Sequence, residues 1–397
     1  MTESGRAGSA GHGICHLAPQ NATTKDFKTS FMGASKQQGS RNRLLELDAL
    51  RGIAALMVVL FHFTMDRPEM NLGFKYGVTG VDFFFIISGF VIFLTLSNTK
   101  NWKDFVVSRF SRLYPTYWTV VTFTALMWVV YKWMHQESMD GLFTQYLGNM
   151  TMLQYYLKIT SFDEPYWTLL VEMQFYVVML LIFNFKWLNK IVVLGLAGLS
   201  FILLNHFVLS SAVPAIFKYS RGLFQLVNHF PLFFAGILFY SIKFRMGSRI
   251  AKIPLLMACL ATQIVLYADG GTSFLYISQW EYAMMLTIYF AVFSLYAFDI
   301  PLRIVNRVTV YLGTISYSLY LVHKFVCVSI IIPTLSKYTS LGFWTIVFGV
   351  CVPTVIILAS LITFLVEKPA LQYIRDIYKK SSRKKVEADS PATVRAN

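Results

Sequence analysis

Stretches of about twenty apolar residues recur along the whole chain, and the loops between them alternate between basic and nearly uncharged. A bilayer core of about 30 Å is crossed by about twenty residues of α-helix. Candidate spans fall near 45–65, 79–97, 113–134, 166–184, 191–209, 224–243, 252–268, 280–298, 309–333 and 341–366, the seventh being short enough to tilt or re-enter. One set of loops carries Arg41 and Arg43, Lys100 to Arg112, Lys186 and Lys190, Lys243 to Lys252, and Arg303 and Arg307. The loop 269–279 has no Lys or Arg, and 135–165 has only Lys158. Basic loops mark the cytoplasmic side. The expected fold class is therefore all-α: a polytopic transmembrane helical bundle of about ten spans, with both termini cytoplasmic. Trp128, Trp133, Trp167 and Trp280 sit near the expected helix ends, where interfacial aromatics gather.

Composition agrees. The 397 residues are 56% apolar and 14% charged, where a soluble domain carries about 25% charge. The net charge of +15 is spent on loops and tails, so it points to membrane lipids and not to nucleic acid. The chain divides into a basic tail over 1–43, expected to be disordered, a membrane domain over 44–366, and a basic cytoplasmic tail over 367–397. The first 43 residues lack the apolar core of a signal peptide. The four cysteines are scattered and suggest neither a disulfide framework nor a metal site. The segment 102–112 is amphipathic and basic, and is expected to lie on the inner surface before Pro115 opens the next helix.

Ionisable residues inside spans are costly and mark function. Arg51 and His62 in the first span are eleven residues apart, which puts them on one helix face about 16 Å apart along the axis. The plainer reading is that Arg51 reaches the headgroups and His62 is a satisfied core histidine. Topology then places His62, Asp82, Glu172, His229 and His323 in the outer half of the membrane, each on a different helix. Five such residues at similar depth point to a polar cavity. A neutral histidine is suited to removing a hydroxyl proton when a carboxylate orients it, and Asp82, Glu172 and Asp66 are candidates for that part. Arg109 and Arg112 share a helix face and suit a polyanion, although positive-inside charge alone also explains them. No Walker A loop, GxGxxG or GxSxG occurs. The HQESMD stretch (His135 to Asp140) has an H-x4-D spacing but no supporting motif.

The segments LDALRGIAALMVVLFH, GVDFFFIISGF, RFSRLYPTYW, PYWTLLVEMQFY, HFPLFFAGILFY and GTISYSLYLVH together resemble the acyltransferase-3 family of integral membrane O-acyltransferases, over about residues 44–366. The resemblance implies transfer of an acyl group, usually acetyl from acetyl-CoA, to a hydroxyl of an exopolysaccharide, O-antigen or other envelope glycan in a bacterial inner (plasma) membrane. It implies catalytic roles for His62, Asp82 and Glu172. It also implies substrate or acyl-CoA binding by Arg51, Arg109, Arg112, Trp167, Ser316, Tyr317, Tyr320 and His323. The expected partners are acyl-CoA as donor substrate and a glycan or lipid-linked sugar as acceptor, with no metal and no tightly bound cofactor. Packing of the apolar helix faces leaves both a monomer and a homo-oligomer open. A transporter or flippase of an envelope glycan also fits intramembrane charges around a cavity, as does a relay that carries acetyl across the membrane to a separate transferase. No internal repeat of the transporter kind is visible.

Overall fold

The computed structural model describes residues 44–388 except Gly270. The expected tail 1–43 lies outside the described residues, as does the end of the C-terminal tail, 389–397. The described chain is helical throughout, with no strand among the described residues. Eight helical stretches are long and apolar enough to cross a membrane, and the protein is a polytopic helical membrane protein. α1 is Leu45–Thr64, with Glu46 and Asp48 in its first turn, where acidic groups meet the positive end of the helix dipole. α2 is Gly80–Ser97, α3 Trp102–Met134 and α4 the short Leu142–Met150. α5 is Trp167–Asn184 and α6 Ile191–Leu204, prolonged through a π turn to Ala212. α7 is Pro214–Leu223, α8 Phe230–Lys243, α9 Ile253–Val265 and α10 Gln279–Ala297. α11 is Arg307–His323, carried on by a π stretch to Tyr338. α12 is Val352–Ile362, and α13, Lys368–Ala388, continues it across a π turn.

Two of the expected spans are not among the eight. α8 has only 14 residues, beginning after a 3-10 turn at Gln225–Asn228. Every residue from Pro231 to Ile242 is buried, so this helix is sheathed by protein and not by lipid. Irregular backbone is tolerated at membrane depth in that setting. It runs parallel to α2: Phe85 stacks on Phe233 at 4.9 Å, and further along both helices Phe93 meets Tyr240 at 5.1 Å. The other is α10, which opens with a Ser278–Glu281 capping box and carries Glu281 in its first turn, tied to Lys75 at 2.5 Å.

Pro115 does not open a helix. It lies inside the 33-residue α3, which Asn101 starts by accepting from the Asp104 N–H at 3.0 Å. The expected surface segment 102–112 is therefore the first third of one long helix, and Pro115 costs it a single internal hydrogen bond.

Glycine contacts fix the two tightest helix pairs. α1 packs most extensively on α11, and α2 on α8. A Cβ at Gly52 would sit 2.4 Å from the Thr309 carbonyl oxygen, and one at Gly313 only 1.9 Å from that of Asp48. Gly89 and Gly236 are equally hemmed in by Phe233 and Ile86 backbone. Small residues let helix backbones touch where lipid offers no hydrophobic drive. Ten residues beyond Gly52 and Gly313, about 15 Å further along both helices, stand His62 and His323. The parallel crossing at the glycines therefore delivers two histidines to one level.

Candidate active site

The site has two ends along α1 and α11. We call the ends after the loops of the bundle: the basic side, where α1 and α11 begin, and the far side, toward which both run. Toward the basic side lies a cavity of about 730 Å³, counting the solvent space at its open face. Arg51 of α1, Arg109 and Arg112 of α3, Glu172 and Tyr176 of α5, Ser88 of α2, and Ser316, Tyr317 and Tyr320 of α11 all line it. Arg51 has a loose ion pair with Asp48 at 3.8 Å. Arg109 donates from Nη2 to Thr95 Oγ1 and Ser108 Oγ, both at 3.3 Å, and its Nε is buried without a partner. The guanidinium stands 5.9 Å from the ring centres of Phe105 and Tyr176. Glu172 accepts from Tyr176 O–H at 2.5 Å and Ser88 O–H at 3.0 Å. Three guanidiniums and one carboxylate line the same concave wall, with Asp48 and Glu367 beside Arg51 and Arg112, and the planar donors of the arginines suit an anion.

Toward the far side the two histidines meet. His323, wholly buried, has Nδ1 at 2.8 Å from the Tyr320 carbonyl oxygen. A carbonyl only accepts, so Nδ1 carries the hydrogen, and in the neutral ring Nε2 holds the lone pair. That Nε2 lies 3.1 Å from His62 Nδ1, which is also 2.9 Å from the Val58 carbonyl oxygen. His62 Nδ1 therefore carries its hydrogen toward two acceptors. The tautomer of each ring is set, and His62 Nε2 is left as the free base position.

This arrangement differs from the expected one. Neither Asp82 nor Glu172 touches His62. Asp82 is buried on another face of α2, within reach of Tyr282. Glu172 lies with the arginines. Asp66 is exposed in a left-handed turn (φ 61°) and makes no contact with the imidazole. The expected carboxylate orienter is replaced by a second histidine. Trp167 does not line the cavity; its ring packs on Phe85 at 6.4 Å and on His229 at 5.5 Å, and His229 is buried between them. Ser316 Oγ donates to the Gly313 carbonyl at 2.9 Å, and Tyr317 O–H to that of Leu113 at 3.0 Å.

Neither histidine lines the cavity. Tyr320 separates the two ends: it lines the cavity, its ring centre is 5.9 Å from that of His323, and its hydroxyl is held by Thr168 Oγ1 at 3.0 Å and the Pro165 carbonyl at 3.2 Å. Sequence reasoning did not identify the polar groups beyond the histidines. The buried Lys324 pairs with the exposed Glu164, and Asp163 accepts the Phe325 N–H at 3.2 Å. Burial pushes the Asp163 carboxyl up to about 7, against the pull of Lys324 and that N–H. The available signal was Lys324 itself, a charge inside an expected span. Among the described residues no group of His, Cys, Asp and Glu is placed to hold a metal.

Comparison with known proteins gives a family. Residues 44–363 match the family Acyl_transf_3, described as an acyltransferase domain. The chain is 26% identical over 285 residues to the "Putative acetyltransferase ORF330" of Acidianus two-tailed virus, covering 69% of this chain and 80% of that protein. It is 28% identical over 186 residues to the peptidoglycan O-acetyltransferase OatA of Listeria monocytogenes, covering 41% of this chain and 28% of that enzyme. The chain thus spans most of the viral protein and less than a third of the bacterial one. No solved structure matches.

Proposed function

The chain belongs to the acyltransferase-3 family, and from that membership we propose that it moves an acyl group, acetyl in the first instance, from acyl-CoA to a hydroxyl of an envelope polysaccharide or lipid-linked glycan. Its membrane is the bacterial inner or plasma membrane, with the basic side in the cytoplasm. The observation that carries the reading is the sharing of α1 and α11 between the two ends: an arginine-lined cavity toward the basic side, and a tautomer-fixed imidazole base about 16 Å along α1 from Arg51. The phosphates of the donor lie against Arg51, Arg109 and Arg112. The pantetheine arm rises along the cavity toward Tyr320, and the tyrosine ring turns aside to admit the thioester. His62 Nε2 takes the acceptor's hydroxyl proton as the oxygen attacks the thioester carbon. The C–S bond breaks, and the departing thiolate takes that proton from His62, so that the base is restored and free CoA leaves. His323 accepts from His62 Nδ1–H throughout and steadies the imidazolium that forms between the two transfers.

The test compares ester-linked acetyl on surface and secreted glycans from cells carrying the intact gene, a deletion and His62→Ala at matched protein level. Loss of acetyl in both altered strains, with glycan amount unchanged, is the expected result. Full acetylation with His62→Ala removes the base from the mechanism. Disappearance of the glycan from the surface in the deletion, with its acylation pattern intact, replaces the transferase by a flippase.

A further inference from the structure

The last helix lies beside the cavity wall that α3 supplies. α13 packs against α3 on the basic side. Glu367, the residue before it, is buried within 3.4 Å of the Ser318 and Thr363 hydroxyls and close to the cavity-lining Arg112. Eight residues on, about 12 Å along the helix, Arg375 donates from Nη2 to Ser108 Oγ at 3.0 Å. Arg109 donates to the same oxygen at 3.3 Å. One serine hydroxyl therefore holds two guanidiniums side by side. Like charges so placed repel, and Arg109 has no ion pair among the described residues. The arginines therefore fall into two groups, Arg51 and Arg112 in the cavity lining, and Arg109, which also lines it, paired with Arg375 outside the lining.

Coenzyme A carries its phosphates in two groups as well, a pyrophosphate on the pantetheine arm and a 3′-phosphate across the ribose. We propose that Arg375, with Arg109 and Ser108, forms the subsite for the 3′-phosphate of the donor, so that α13 is part of the acyl-CoA site. This rests on the donor reading above, and the experiment separates the two. The purified full-length protein, in detergent without anionic lipid, is titrated with coenzyme A and with 3′-dephospho-coenzyme A. Wild type is expected to prefer coenzyme A by about tenfold or more, the worth of a charge-assisted contact. Arg375→Ala is expected to lose that preference by weakening coenzyme A alone, and Arg375→Lys to keep part of it. A wild-type ratio of one, as when the pair serves a lipid phosphate, overturns the subsite and leaves the donor reading standing. An Arg375→Ala variant that keeps the preference overturns it too. Binding of neither ligand removes the donor reading itself. A second measurement needs no substitution: coenzyme A, and not its dephospho form, is expected to slow phenylglyoxal modification of Arg375 read by mass spectrometry. Equal protection by both, or none, overturns the proposal.

Discussion

At its start α1 presents Arg51 to a cavity ringed by Arg109, Arg112 and Glu172; at its end it presents His62 to His323. The first region is rich in fixed charge with loosely satisfied donors. The second is neutral in its inner contacts, and each ring nitrogen but one is committed to a stated partner. Charge that waits for a counter-ion suits binding, because guanidinium holds phosphate in ground and transition state alike. A ring with one free lone pair suits proton transfer, because its role changes only during reaction. Tyr320, held by Thr168 and Pro165, keeps the two apart.

The division is broken most sharply at His323. In the proposed mechanism it acts through His62, as a positioning residue. His323→Ala leaves His62 Nδ1–H with the Val58 carbonyl as its remaining acceptor, and kcat is expected to fall by about 10–100-fold, less than removal of the base itself, with KM for acyl-CoA unchanged. His323→Gln offers an acceptor oxygen in place of Nε2 and recovers part of the rate. The acid limb of the pH–kcat profile moves in the Ala variant and not in the Gln variant. A His323→Ala enzyme with an unaltered profile and a raised KM places this residue with the binding end.

Arg112→Ala sharpens the comparison from the other side. It is expected to raise KM for acyl-CoA by about tenfold and to leave kcat nearly constant, the signature of uniform binding. A fall in kcat at constant KM assigns the arginine to the transition state instead.

These assignments also show what the sequence carries and what it does not. Length and hydropathy locate the long helices, and the spacing of Arg51 and His62 puts the proposed binding and base residues on one helix. Depth alone cannot choose the partner of His62, because Asp82, Glu172 and His323 all lie on spans that share the membrane's far half. Rotation and small axial offsets decide. Ser88, six residues after Asp82, faces Glu172, while Asp82 faces Tyr282; six residues turn a helix about 120° off its own face. Glu172 is eight residues, about 12 Å, beyond the Glu164 that pairs with Lys324 near the histidines, and so reaches the arginines. Apolar runs do not reveal that α8 is sheathed by protein, since a buried short helix and a lipid-facing longer one read alike over Phe230–Lys243.

The smallest expected effect tests the polar rim of the histidine end, at Asp163. Its carboxyl titrates near 7 in the folded protein, well above the range of a free aspartate. Between about pH 4 and pH 7 the folded protein then holds a proton that the unfolded chain has released. Stability from this group therefore falls as pH rises through that window, and the deficit is constant above it. Asp163→Asn keeps an oxygen for the Phe325 N–H and removes the titration. The variant's gain in melting temperature in detergent over the parent is expected to grow by several degrees between about pH 5 and pH 8, the scale of about two to three kcal/mol. Should the variant melt lower at both pH values, the carboxylate is being held by Lys324 as an ion pair. The far end would then carry fixed charge of its own, and the contrast between a charged binding end and a neutral catalytic one would not extend beyond the two imidazoles.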